Sequence, residues 1–475
     1  MTKHRQVVII GAGPAGVRAA ETLVQEGVQP IVLDEGALWG GQIYRQPLPS
    51  GKFKRSKRTL YGFEWAKADH LHQTMARLQP LVDYRPETVV WNVEEKSLDV
   101  LSKGELERVP FTHLIIASGA TDRILPLPGW TLPGCFTMGG AQIALKAYGC
   151  AIGRKVVFAG TGPLLYLVAY QYAKAGAHVV AVLDTSDWSR QRAAVPRLLH
   201  LPGVFAKGLY YLAALRRRGV RVERNVRLLG LEGQESVEGI RWTYRNAKPG
   251  TEENIQQLEC DAVGIGYGLR PETQLADVAR CRFVYSERDR CWIPETDAAG
   301  RTSVAGIYVA GDGASIAGAD AAELAGKRAG LAVLHDLDVI AAQHDALHTM
   351  QEINRKLDRI TRFREGIEHA FPMPEGISTD WPDDLTICRC EEVSAGTLRT
   401  CIQAGGITEI NRLKAVTRVG MGRCQGRMCG TAATVLMSDE LGLPLKEVGR
   451  LRAQAPIKPL PAFCQSTKST PSSSV

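Results

Sequence analysis

No uninterrupted apolar run in this 475-residue sequence reaches membrane length, and "MTKHRQ" passes at once into the strand-like "VVII" without the apolar segment of a secretory signal. Both absences predict a cytosolic protein with no transmembrane segment. Cysteine is too sparse for a secreted disulfide scaffold: there are eleven, an odd number, scattered along a long chain. Reduced thiols are therefore the default. No C-x-x-C or C-x-x-x-x-C lies near the glycine-rich N-terminal segments, so a redox-active dithiol there is not supported. No histidine stands in a recognisable catalytic constellation. A strong excess of charge of one sign is also missing, with 58 lysines and arginines against 50 aspartates and glutamates. The net charge of +8 is modest, and the basic residues are dispersed apart from "KFKRSKR" (52–58) and "RRR" (216–218). Both runs read as solvated faces rather than nucleic-acid or lipid sites, and no nucleic-acid partner is expected.

What remains is ordinary globular composition, 45% hydrophobic and 23% charged, in a chain long enough for about three domains. The clearest local signal comes first. "VVIIGAGPAG" is an apolar strand followed by Gly11, Gly13 and Gly16 in G-x-G-x-x-G spacing, and "PAGVRAAETLVQEG" continues as an amphipathic helix stopped by Gly27. Gly11 permits a tight turn, Gly13 lets backbone amides approach a pyrophosphate, and Gly16 lets the helix pack on the strand. Pro14 suits the first helical turn, where its missing donor costs nothing. A second strand, "PIVLDE", places Asp34 at the usual distance for a ribose hydroxyl.

Two further strands end in small-residue turns: "THLIIASGA" (112–120) and "GIYVAGDGAS" (306–315), the latter delivering Asp312 between two glycines. An acid there can bind ribityl hydroxyls while the following helix presents its amino end to pyrophosphate and flavin. These stretches resemble the two-dinucleotide-domain flavoproteins of the glutathione-reductase-like class. The resemblance implies FAD contacts at Gly11, Gly13, Pro14, Ala15, Gly16, Asp34, Glu35, Gly41, Gln42, Ala117, Ser118, Gly119, Gly311 and Asp312. It also lets the "IYRQP" segment after Gln42 face the flavin.

A second nucleotide-binding pattern lies between: "KVVFAGTGPLLYLVAYQYAKAGAHVVAVLD" has strand, Gly160, Gly162, helix and strand, ending at Asp184. Leu165 stands at the third glycine position, where it should push the helix from the strand. A working NAD(H) site and a structural relic both remain open; in the first case Asp184 opposes the 2′-phosphate of NADP. "GIGYGLRPET" (264–273) closes this domain in the manner of the same flavoproteins.

Beyond Asp312 the chain reads as a long helical tract to about residue 371. Leu347, Met350, Ile353, Leu357, Ile360 and Phe363 keep helical spacing, which predicts packing against the first domain. Then come "TICRCEEVS" and "TRVGMGRCQGRMCG", giving Cys388, Cys390, Cys424 and Cys429 as C-x-C, a 33-residue gap and C-x-x-x-x-C. Four thiols in two close pairs are what a four-thiolate metal centre requires. Zinc and unmetallated thiols are the rivals, but a one-residue gap and a glycine-rich second pair suit a [2Fe–2S] cluster better. Arg389, Arg423 and Arg427 can offset its negative charge, and Gly422, Gly426 and Gly430 leave amides free to approach sulfur. Cys135, Cys150, Cys260, Cys281, Cys291, Cys401 and Cys464 share no spacing and read as core or surface thiols.

The cysteine segment resembles the bacterioferritin-associated-ferredoxin-like [2Fe–2S] domain. Over nearly its whole length the chain is similar to the FAD-containing alpha (A) subunits of bacterial opine oxidases, the cyanide-synthase B subunit, and the alpha subunits of D-hydroxyproline and dye-linked proline dehydrogenases. The resemblance implies an α/β flavoprotein with two dinucleotide-binding domains and a small C-terminal α-helical [2Fe–2S] domain. The expected parts are an FAD domain at 1–150 and 285–375, an inserted degenerate NAD-like domain at 151–284, a cluster domain at 384–455 and a disordered tail at 465–475. It further implies a beta partner, an amino-acid-oxidase-like flavoprotein that oxidises the substrate C–N bond, while this chain carries electrons to an acceptor such as quinone. Substrate identity would then reside in the partner. Some relatives hold an FMN where the subunits meet, and some have a small third ferredoxin-like subunit. The expected location is the cytoplasm, either free or peripheral on the inner face of its membrane. The runner-up is an NAD(P)H-dependent reductase of the ferredoxin or nitrite reductase type, which needs a working second nucleotide site. A ferredoxin-like docking module using the flavin fold as scaffold is the non-enzyme alternative, which the intact motifs oppose.

Overall fold

The computed structural model describes residues 5–48, 55–246, 255–340, 344–462 and 465–466. Its first sheet is parallel and five-stranded, in the spatial order Ile307–Val309, His113–Ile116, Val7–Ile10, Ile31–Leu33, Asp83–Arg85. The central strand Val7–Ile10 is buried at every residue, as its unbroken apolar run requires for a parallel strand covered on both faces. One covering layer is a helix pair. Pro14–Gln25 and Ala319–Asp336 lie close enough that a Cβ on Gly326 would stand 2.0 Å from the Ala15 carbonyl oxygen. The other layer includes an antiparallel meander, Thr88–Glu94, Ser97–Ser102 and Glu105–Pro110. Its outer strand pairs with Gln465–Ser466, inside the stretch expected to be a disordered tail. The rest of that tail, with Cys464, lies outside the described residues, as do residues 52–54 of the first basic run.

The second sheet is also parallel: Arg221–Arg224, His178–Asp184, Lys155–Thr161, Ala262–Tyr267 and Cys135–Thr137. Its edge strand comes from before residue 151, so the inserted domain draws on chain assigned by sequence to the first. The two domains meet where Ala120–Asp122 pairs antiparallel with Leu269–Pro271. The cluster domain is a short hairpin, Thr386–Cys388 with Val393–Ser394, and helices Ala395–Gly405, Ile410–Thr417, Gly430–Leu441 and Leu445–Val448. Its core is continuous with that of the inserted domain, and the Trp130 indole donates to the Thr386 carbonyl at 2.8 Å.

The helical tract divides into Ala319–Asp336 and His344–Ala370. The expectation that its apolar stripe packs on the first domain holds only in part. Met350 packs on that core, but Phe363, Ile367 and Ala370 pack on Ala194 and Leu198 of the inserted domain, and Leu347 is exposed. A single 27-residue helix outruns one domain's surface, so its stripe continues onto the next.

The Ala15–Gly326 approach yields a paired test. Gly326→Ala meets a backbone atom that cannot rotate away and should destabilise by about 1–3 kcal/mol. Gly208→Ala, in helix Pro202–Arg217 with open space at its Cβ, should stabilise by about 0.5–1 kcal/mol. Opposite shifts of the urea unfolding midpoint are expected; shifts of the same sign would contradict the packing described.

Candidate functional site

The N-terminal glycines divide their labour as the spacing predicts. Gly11 has φ +102° and its absent Cβ leaves room for the Ala117 carbonyl; Gly16 lies so near that a Cβ would stand 1.7 Å from the Gly11 oxygen. These two serve the fold. Gly13 is different: a Cβ there would meet only the Gly41 Cα, at an ordinary contact distance of 3.6 Å, so no protein packing fills the space beside it and a ligand can approach. Gly40 donates its amide to the Ala12 carbonyl at 2.8 Å, which lays the Gly40–Gly41–Gln42 turn beside the first loop. Pro14 and Ala15 open the helix there. The Asp34 carboxylate accepts from Ala12 N at 2.5 Å and Gly36 N at 2.7 Å. Burial raises its pKa, opposed by those two amides. Two amide bonds leave acceptor capacity on a carboxylate for hydroxyl groups. Glu35 instead turns outward and pairs with Lys458 at 2.6 Å.

Ala117, Ser118 and Gly119 end the neighbouring strand, and Gly311–Gly313 follow the next one. Asp312 Oδ1 accepts from Ala317 N and Gly318 N, both at 2.9 Å, which shapes the turn before helix Ala319–Asp336. All the expected dinucleotide-binding segments thus border the carboxyl ends of one parallel sheet, with an open glycine and two strand-end acids. That arrangement fits a dinucleotide.

The second nucleotide pattern folds as a strand, turn and helix, but its acid is sealed. Asp184 is fully buried and accepts from Tyr166 Oη at 2.6 Å, from Ser186 N at 2.8 Å and from Ser186 Oγ at 2.7 Å. Burial raises its pKa. It is therefore not presented to a ribose, and the expectation that it would reject a 2′-phosphate has no structural basis. Leu165 is buried against the core of this domain rather than lining a ligand space.

Among the described residues no three His, Cys, Asp or Glu side chains are disposed to hold a single ion, and the four motif cysteines are instead linked to one another. The Cys429 thiol neighbours those of Cys388 and Cys424, and the Cys390 thiol neighbours that of Cys424. Bonds from Cys429, then backbone amides including Gly420, pull the Cys388 thiol down to about 6. Bonds from Cys429, then amides including Gly426, pull Cys424 down to about 5. The neighbouring Cys388 and Cys424 raise Cys429, and burial raises Cys390. Four mutually neighbouring thiols, two of them lowered toward the thiolate, fit a thiolate cluster. Gly422 serves packing, since its Cβ would overlap Cys390, and Gly430 begins a helix. Arg389 stacks over Trp130 at 5.6 Å.

Arg427 has a role that its cysteine context did not reveal. Between Cys424 and Cys429, it reaches the buried Glu272 carboxylate at 2.8 Å and also donates to the Ile457 carbonyl. Glu272 is tied to the turn after strand His113–Ile116: its amide donates to the Gly119 carbonyl at 3.0 Å, and Ser118 Oγ donates to its carbonyl at 2.6 Å. Gln274 Nε2 donates to the Gln425 carbonyl at 2.6 Å, and Asp277 binds Arg450 at 2.6 Å. The only sequence signal was the acid in "GLRPET", too common a residue in a turn to single out.

Comparisons with known proteins agree with this geometry. Residues 5–329 match the family described as "Pyridine nucleotide-disulphide oxidoreductase", and residues 386–439 match the "BFD-like [2Fe-2S] binding domain". The A subunit of opine oxidase from Agrobacterium tumefaciens is 35% identical, over 96% of this chain and 90% of its own. The HcnB subunit of hydrogen cyanide synthase from Pseudomonas protegens is 32% identical, over 96% of each. Among solved structures, L-proline dehydrogenase from P. horikoshii shares the fold with a TM-score of 0.69 at 22% identity, covering 96% of this chain and 79% of that one.

Two variants separate the sites. Gly13→Val should fold but carry less FAD than wild type, whereas Cys424→Ser should lose iron and iron–sulfur absorbance with FAD retained. Full flavin content in the first, or full iron content in the second, would contradict these assignments. For Glu272, burial raises the pKa, but the charges of Arg427 and Arg270 and the Arg427 hydrogen bond outweigh it and bring it below 4.5. The stabilisation is therefore complete above that value and fades as pH falls through the depressed pKa. Glu272→Gln should cost about 3 kcal/mol at neutral pH, a deficit that narrows in acid. A deficit independent of pH, measured by urea unfolding, would remove the ion pair as its cause.

Proposed function

This chain belongs to the pyridine nucleotide-disulphide oxidoreductase family, alongside the A subunits of opine oxidases, and on that footing we propose that it is the electron-transfer component of a heteromeric dehydrogenase acting on CH–NH bonds of an opine, D-hydroxyproline or proline type substrate. The observation that carries the reading is the Glu272–Arg427 link, which ties the flavin-side turn at Ser118–Gly119 to the loop bearing Cys424 and Cys429. FAD, when bound, exchanges electrons in pairs or singly, and a [2Fe–2S] cluster exchanges one. The chain's own residues perform the supporting work. Gly13 and Gly41 leave room for pyrophosphate, Asp34 and Asp312 offer acceptors to hydroxyls, and Cys388, Cys390, Cys424 and Cys429 supply the cluster thiolates.

That its relatives are named as single subunits of larger enzymes supports a complex. In this reading the partner is an amino-acid-oxidase-like beta subunit, and the further components are an FMN where the two meet and a small ferredoxin-like third chain. The acceptor is a quinone, and the complex works in the cytoplasm, peripheral on the inner face of its membrane. Among the described residues no helix is long and apolar enough to cross a membrane. The sealed Asp184 weighs against the NAD(P)H-dependent reductase alternative.

The isolated chain should therefore fail to reduce a dye when given opines or imino acids, and adding the beta partner should restore the reaction. Robust turnover by this chain alone would refute the assignment. Rapid dye reduction driven by NADH alone would favour the reductase instead.

A further inference from the structure

The "RRR" run read as a solvated face belongs to a larger surface. Residues 188–222 contain no aspartate or glutamate and eight arginines or lysines, although acids number 50 in the whole chain. A stretch of that length would hold about four at the chain's average density. The same stretch also exposes apolar side chains to water. Helix Pro202–Arg217 buries only Ala214 and Leu215. Pro202, Ala206, Leu209, Ala213 and Arg216 recur at helical spacing and are all exposed, so the helix presents an apolar stripe outward that ends in cations. Trp188 is 51% exposed, with Arg224 stacked on its ring at 4.6 Å, and Leu199 is 55% exposed. Arg192, Arg216 and Arg217 make no ion pair among the described residues, whereas Lys207 is paired with Glu64 and Arg221 with Glu223, so the free cations lie at the carboxyl end of the helix and beside Trp188.

We propose that this face docks on an anionic lipid surface. Charge decides the occupant: a protein partner commonly meets a face with both signs, whereas an anionic bilayer rewards every exposed cation, and the acids that border this face, Glu64 and Glu223, are neutralised by Lys207 and Arg221 respectively. Aromatic and aliphatic side chains interleaved with arginine are the composition of an interfacial element. The helix lies along the surface with Leu209 entering the headgroup boundary and Arg216–Arg218 among the phosphates. The inference deepens the peripheral location in the reading above, but it rests on this face and not on the identity of the substrate or acceptor.

The test is co-sedimentation of the full-length, cofactor-loaded chain with vesicles of phosphatidylcholine alone or with about one third phosphatidylglycerol. Retention on the anionic vesicles alone, lost in high salt, is expected. Arg216→Glu with Arg217→Glu should weaken retention at least about tenfold, and Leu209→Glu several-fold, with flavin and iron contents unchanged. Equal retention on neutral vesicles, or undiminished retention of the charge-reversed variant, would overturn the proposal. So would no vesicle binding together with loss of the beta partner from Leu209→Glu, which would make the face a contact between subunits. A chain that turned over substrate alone would still pass or fail this test, so the two readings fail separately.

Discussion

Glu272 is gripped at both ends. Its backbone is bonded to Ser118 and Gly119 beside the expected flavin, and its buried carboxylate meets Arg427 in the loop between two cluster cysteines. A buried carboxylate without its guanidinium would be strongly unfavourable, so the pair constrains where the cluster domain can sit. Gln274 to Gln425 and Asp277 to Arg450 repeat the connection nearby. Three polar links within six residues of one strand end hold the small domain against the flavoprotein body. The shared apolar core around Trp130 excludes water from the other side.

The two nucleotide-binding patterns show how similar local sequence reaches different chemistry. Asp34 follows, and Asp184 ends, the second strand of a strand–turn–helix–strand unit. Asp34 accepts two backbone amides among the described residues, which leaves acceptor capacity on its carboxylate. Asp184 is enclosed by Tyr166 and Ser186, whose donors satisfy it internally. Tyr166 is a helix residue adjoining Leu165, so the departure from glycine at the third position is accompanied by a side chain that closes the acid from ligand. The fold persists because strand pairing and helix burial do not need the acid exposed.

Small residues govern the first domain. Ala15, Gly326 and neighbouring alanines let two helices approach to backbone contact, which places the amino end of Ala319–Asp336 near the glycine loop. Residues more than three hundred positions apart thereby complete one site. The inserted domain supplies no such close contact for its outer helix, Pro202–Arg217, and that helix remains largely uncovered.

Motifs confined to a few consecutive residues were legible from sequence, because backbone geometry within one turn sets their role: Gly11, Gly13 and Gly16, the strand-end acids as candidates, and the paired cysteines. The repetition of strand and glycine turn also made the two-domain flavoprotein architecture readable. Tertiary structure alone decided which acid stayed available, that Arg427 answers Glu272 rather than only the cluster, that the long helix crosses from one core to another, and which stripe of Pro202–Arg217 faces outward. Each depends on a partner far away in the chain. Periodicity and spacing specify how a side chain leaves its own backbone, but the group it meets, and whether water is excluded there, follows from packing.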